Sequence, residues 1–178
     1  MKNNYLFTSE RLGFRNWQKT DLDAMSVISA DPEVMNYFPS TQDKKHTQEF
    51  INRMQSQFDK NGFCYFAVEL LKTKEFIGFI GICEQHYKTD FNPAVDIGWR
   101  LHKKFWFNGY ATEGARACLT FAFKTIGLKK IVSVASKGNL ASIAVMKKVG
   151  MTKVKEFEHP LLLEHKDLKY CVLYEIKT

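Results

Sequence analysis

Trp106 to Ile126 reads W-F-N-G-Y-A-T-E-G-A-R-A-C-L-T-F-A-F-K-T-I, a loop that turns through a glycine straight into an amphipathic helix. Apolar residues recur at Ala111, Ala115, Cys118, Leu119, Ala122, Phe123 and Ile126. That i, i+4, i+7, i+8 spacing lays one stripe against a core. Asn108 and Gly109 can take backbone angles that bulkier residues avoid, and the first-turn N–H groups that follow have no acceptor within a helix. Such free donors, carrying about half a positive charge at the helix end, suit an anion. A glycine at a helix start often serves only the turn, so the segments on either side decide the reading.

Before the loop, Val95 to Leu101 alternates as a strand, with Val95, Ile97, Trp99 and Leu101 on one face and Asp96, Gly98 and Arg100 on the other. Gly98 marks a bulge, relief of crowding, or the close approach of another backbone or a ligand. Asp96 and Arg100 are also spaced for an ion pair. After the helix, Gly127 is a natural stop, Ile131 to Ala135 a short strand, and Asn139 to Val149 a helix ended by Gly150. Lys153 to Phe157 and Tyr170 to Ile176 finish as strands around the loop from His159-Pro160 to Lys169.

Upstream, Tyr5 to Trp17 reads as one opening strand, and Thr20 caps a helix through Ala30 with Asp23 at the capping-box position. Asp31-Pro32 ends it and starts a short helix carrying Val34, Met35, Tyr37 and Phe38. Lys44 to Lys60 has Phe50, Ile51, Met54 and Phe58 on one face, and Asn61-Gly62 turns the chain. Phe63 to Leu70 and Phe76 to Cys83 form a hairpin around the polar L-K-T-K-E.

A chain of 178 residues, 45% hydrophobic and 14% aromatic, supports one domain with a sizeable core. It holds no apolar run long enough to span a membrane, and M-K-N-N-Y-L-F-T-S-E lacks an apolar signal core, so a cytoplasmic location is expected. Cys64, Cys83, Cys118 and Cys171 match no metal-ligand spacing and read as buried thiols. The net charge of +7 comes from dispersed lysine pairs, 44–45, 103–104, 129–130 and 147–148, which read as solvated surface rather than a nucleic-acid patch. The pairs at 103–104 and 147–148 flank the proposed anion site. There is no G-x-x-x-x-G-K-[ST], which disfavours a nucleoside-triphosphate hydrolase.

Taken together, V-D-I-G-W-R-L, W-F-N-G-Y-A-T-E and N-L-A-S-I-A-V-M-K-K-V-G-M resemble the central motifs of the GCN5-related N-acetyltransferases (GNAT), in the subgroup similar to the RimJ/RimL-type ribosomal-protein enzymes. The resemblance runs from R-L-G-F-R-N-W to Y-C-V-L-Y-E-I. It implies a single domain over residues 1–178 with a mixed α/β fold: a mostly antiparallel twisted sheet of about seven strands, a splayed parallel strand pair, and flanking helices. It implies direct transfer of acetyl from acetyl-CoA to a primary amine, either a protein N-terminus or a small molecule, without a metal, by a monomer or homodimer. A catalytically silent acyl-CoA-binding module on the same fold is the alternative.

The resemblance also distributes roles. Trp99, Arg100 and Leu101 would pair with the pantetheine arm, and Phe107, Asn108, Gly109, Tyr110, Ala111 and Thr112 would cradle the phosphates. Trp106, Gly109 and Ala111 fill the fixed places of the phosphate loop, while Phe107 stands where the subgroup commonly has glycine. The attacking amine must lose a proton and the departing thiolate needs a donor. Asp96 would be the base, with Glu84 as the alternative; Ser142 would be the donor, with Asn139 either a helix cap or a pantetheine partner. The familiar tyrosine acid of other branches falls at Met146. The acceptor pocket would draw on Trp17, Tyr37, Phe38, Glu84, His86, Glu158 and His159.

Overall fold

The computed structural model describes residues 5–178, so Met1–Asn4 of the opening segment lie outside the described residues. In chain order the elements are β1 (Phe7–Thr8), β2 (Leu12–Arg15), α1 (Asp21–Ala30), α2 (Lys44–Asn61), β3 (Tyr65–Leu70), β4 (Phe76–Gln85), β5 (Ala94–Leu101), α3 (Tyr110–Phe121), β6 (Lys130–Ser136), α4 (Leu140–Lys148), β7 (Thr152–Glu158) and β8 (Tyr170–Lys177). One mixed sheet of eight strands runs β1-β2-β3-β4-β5-β6-β8-β7. Every neighbouring pair is antiparallel except β5–β6.

Three local expectations are corrected. The opening strand is two strands, because Ser9 and Arg11 bracket a turn in which Ser9 N–H donates to Leu12 C=O and Leu12 N–H to Ser9 Oγ; this raises the strand number from about seven to eight. Residues 32–37 form successive turns rather than a helix, and Pro39 disfavours a helical continuation through Phe38. Thr20 does stand before α1, but its side chain makes no cap bond, and Asp23 pairs with Lys44 instead of closing a capping box. Asp21 does the local work: it accepts Gln18 N–H at 2.8 Å and forms a buried pair with Arg15, which also reaches Glu69. Breaking such a pair on one side costs roughly 3–5 kcal/mol. The long helix also changes pitch, passing from α3 into a π turn at Ala122–Ile126 before Gly127, at φ 82°, ends it.

The central strands are covered on both faces. On one, Trp17, Phe50 and Phe79 pack beneath α1 and α2, with Trp17 Nε1 donating to the Tyr65 carbonyl. On the other, Phe7, Phe14, Phe66 and Phe121 form a stacked and edge-on cluster beneath α3. The four cysteines are free and buried.

The position of the site follows from what happens on the two sides of β5. Toward β4 it pairs without interruption from Gln85↔Ala94 to Gly78↔Leu101. Toward β6 it pairs in register only at Asp96↔Val132, and Ser133 Oγ then donates to the Ile97 carbonyl at 2.9 Å. Beyond that clip the parallel strands part, and the backbone of residues 98–101 faces an open wedge. The helices that follow each strand, α3 after β5 and α4 after β6, begin at the C-terminal, open end of this wedge.

Candidate active site

The loop between β5 and α3 is held by its own side chains. Trp106 Nε1 donates to the Leu101 carbonyl at 2.9 Å, and Asn108 Nδ2 donates to the Trp106 carbonyl at 2.9 Å. Two successive left-handed residues shape it: Phe107 at φ 62° and Gly109 at φ 80°, the N-cap of α3. Position 107 therefore does demand the conformation glycine prefers, and phenylalanine adopts it at a strain of about 1 kcal/mol or more. Its ring stands wholly in solvent, away from the loop interior. Among the described residues, the backbone amides of Phe107 to Thr112 donate to no acceptor, which leaves a bent row of N–H groups at a helix N-terminus. Glu113 turns away from that row, anchoring α3 to the β1–β2 turn through Ser9 Oγ at 2.6 Å and Arg11 Nε at 2.6 Å.

At the start of α4, Asn139 Oδ1 accepts Ser142 N–H at 3.1 Å, so the asparagine is the helix cap, and its amide Nδ2 has no partner among the described residues. Ser142 is half-buried, and its hydroxyl has no partner among the described residues. Met146 is buried in the core.

Asp96 lies half-buried on the α1/α2 face of β5. It forms no ion pair with Arg100; its Oδ1 accepts Tyr65 Oη–H at 2.6 Å and Gln85 Nε2–H at 3.2 Å. Oδ2 has no partner among the described residues and is not sealed from solvent. Burial pushes the carboxyl up from the ordinary aspartate range to about 6, against the two hydrogen bonds, which favour its charged form. Arg100 points instead toward Ser29 and the rings of Phe38 and Phe79, at 4.3 and 5.5 Å; burial lowers its pKa to about 10. Glu84 is placed differently. Cys83 stands opposite Asp96 in the register, so Glu84 projects to the other face, where hydrogen bonds from Lys60 and Asn61 hold its pKa below the usual range.

The acceptor candidates divide by position. Tyr37 and Phe38 are exposed on the α1–α2 loop, which crosses toward α4: Tyr37 Oη donates to the Gly138 carbonyl at 3.0 Å. Trp17 belongs to the core. His86 is exposed beside Glu84 at 3.5 Å, His159 packs on Tyr87 with burial lowering its pKa, and Glu158 pairs with Lys169. Outside the wedge, a groove of about 890 Å³ runs along α3 between Arg11 and Lys148, past Gly109, Thr112, Arg116 and Lys124. Tyr65 and Gln85 join the site without having been singled out in the sequence, because neither sits in a motif and only the strand register carries them to Asp96.

Residues 11–152 match the family described as acetyltransferase (GNAT) domain. The uncharacterized protein YkkB of Bacillus subtilis is 36% identical over 144 residues, spanning 80% of this chain and 83% of that protein. Among solved structures, a GNAT-family acetyltransferase from Bacillus anthracis superposes with a TM-score of 0.79 at 26% identity, covering 96% of both chains. RimL, a ribosomal L7/L12 alpha-N-protein acetyltransferase solved with coenzyme A, shares the fold with a TM-score of 0.78 at 16% identity, over 97% of each chain.

Proposed function

This chain belongs to the GNAT family and is an acetyl-CoA-dependent acetyltransferase, and on that premise we propose direct transfer to a primary amine with Asp96 as base and Ser142 as donor to the sulfur. The observation that carries the reading is the Asp96 carboxylate, with one oxygen held and the other open, on the strand that borders the wedge. Its raised pKa suits a base working near neutrality, whereas Glu84, ion-paired and on the opposite face, is the weaker candidate. The acceptor is an amine presented from the α1–α2 side, at the end of a peptide or on a small molecule.

Acetyl-CoA supplies the thioester. The amides from Phe107 to Thr112 would hold its phosphates, and the edge of Trp99 to Leu101 that turns from β4 toward the wedge would align its pantetheine arm. Asp96 Oδ2 removes the proton from the ammonium, freeing the nitrogen lone pair to form the N–C bond. As the C–S bond breaks, its electron pair leaves on sulfur, and Ser142 Oγ–H donates a hydrogen bond to that developing charge. Once bonded to carbon the nitrogen sheds a second proton, the sulfur takes up one to end as a thiol, and the proton held by Asp96 passes to solvent.

A thermal-unfolding titration with acetyl-CoA, free CoA and ATP tests the donor site. At a hundred times its dissociation constant a ligand adds about 2.7 kcal/mol, and a domain of this size gains roughly 2–4 °C per kcal/mol. Shifts with both CoA species and none with ATP are expected. Thiol release across peptide α-amines and polyamines then identifies the acceptor class, and its rate falls below about pH 6 as Asp96 takes up its proton. A profile flat from pH 5 to 8 would remove Asp96 as base.

A further inference from the structure

Tyr65 stands on β3, two strands from β5, yet its hydroxyl reaches Asp96 Oδ1 at 2.6 Å. The register explains the reach. Tyr65 pairs with Gly81 on β4, and Gly81 pairs with Gly98 on β5, so no side chain stands in the row the phenol must cross. A Cβ at Gly98 would lie 3.2 Å from three atoms of the tyrosine side chain, and at Gly81 it would lie 2.3 Å from the Cys64 carbonyl oxygen. Phe79 stacks on the ring at 5.1 Å with 15° between planes. Gln85 closes the cluster, its Nε2 donating to Tyr65 Oη at 3.1 Å and to Asp96 Oδ1 at 3.2 Å.

We infer that Tyr65 is a positioning residue for the transfer reaction: lying along the Gly81–Gly98 corridor, it clamps one oxygen of Asp96 and aims the other at the amine. The inference rests on the reading of Asp96 as base. Fixing a half-buried carboxylate by one oxygen removes its rotational freedom and spends that oxygen, so proton transfer is confined to Oδ2. The same bond favours the ionised carboxylate that a base requires, offsetting part of the burial around it. The other titratable groups near Asp96 do not compete for this role. Cys83 beside it is pushed up by burial to about 12, and Tyr87 from the following loop is also raised by burial, so both are neutral near pH 6. Arg53 of α2 acts on Cys83, Arg100 turns to Ser29 and Phe38, and β6 presents Val132.

The test is Tyr65→Phe in the full chain, with the Asp96 carboxylate titrated by carbon-13 NMR. The midpoint should move up by about one pH unit, since the lost hydrogen bond favoured the charged form. The acidic limb of thiol release with the amine panel should move with it, and kcat should fall roughly tenfold at neutral pH while acetyl-CoA binding is unchanged. An unmoved midpoint overturns the inference. Gly98→Ala is the second variant: its Cβ presses on the phenol and makes it give by a few tenths of an ångström, so it should shift the midpoint in the same direction but by less, and a downward shift would overturn the corridor. In an Asp96→Asn background, Tyr65→Phe should cost nothing further in turnover; a full second loss would show that Tyr65 acts apart from Asp96. Wild-type turnover in Asp96→Asn alone would defeat the base assignment and the inference together, whereas an unmoved midpoint alongside an inactive Asp96→Asn defeats only the role of Tyr65.

Discussion

The two long sides of β5 carry the same strand to opposite ends. Toward β4, eight consecutive registers close the seam, and at its end Gly78 has no room for a methyl group against the Arg100 carbonyl. Toward β6, one register and one serine hydroxyl hold the pair before it opens. A sheet leaves backbone donors and acceptors unpaired only at a cost, and the proposed pairing with the pantetheine arm would offset that cost. The closed seam gives rigidity to the open one: it holds Gln85 and Asp96 on one face while the other side of β5 stays largely unpaired.

The sharpest way to break this contrast is chemical. Asp96→Asn should lower turnover by about 10²- to 10⁴-fold while leaving the acetyl-CoA thermal shift intact. It should also stabilise the protein at pH 7. The folded pKa of Asp96 lies above its ordinary value, so its contribution is fully favourable below about pH 4 and is lost as pH rises through about 6. The Tm advantage of Asn should therefore vanish in acid, and a constant advantage across pH would contradict the burial argument.

Next in size, Gly78→Ala attacks the closed seam, where the new Cβ meets the Arg100 backbone rather than a movable side-chain end. A loss of roughly 3 kcal/mol is expected in urea unfolding, and a loss under about 0.5 would mean that the seam has slack. Ser133→Ala removes the clip at the head of the open seam and leaves the buried Ile97 carbonyl short of a donor, for about 1–2 kcal/mol. If the clip sets the splay, the acetyl-CoA shift should shrink as well. The smallest effect is Phe107→Gly, which relieves left-handed strain while raising the entropy of the unfolded chain. A gain of a few tenths to about 1 kcal/mol is expected, read as a Tm rise of roughly 1–3 °C.

Much of this architecture was written in local pattern. The periodicity from Ala111 to Ile126 set α3, the glycines at 62, 109, 127 and 150 marked turns and helix ends, and the alternation of Val95 to Leu101 assigned Asp96 and Arg100 to one face. The unusual Phe107 could also be recognised at a position that demands a left-handed angle. Missed were features in which a nearby residue won over local propensity: Pro39 stopped any helix from continuing through Phe38, and Asp21 took over the start of α1 from Thr20.

What the sequence determined by itself, then, is every major helix, nearly every strand, the anion-suited loop and the carboxylate on β5, because each depends on residues within a few positions of one another. What only the tertiary structure decided is how Asp96 is held. Its spacing to Arg100 suggested an ion pair, but the guanidinium went to Phe38 and Phe79, and a tyrosine 31 residues earlier took the carboxylate. That choice depends on which glycine faces which strand, and register is fixed by the packing of the whole sheet rather than by any one stretch of the chain.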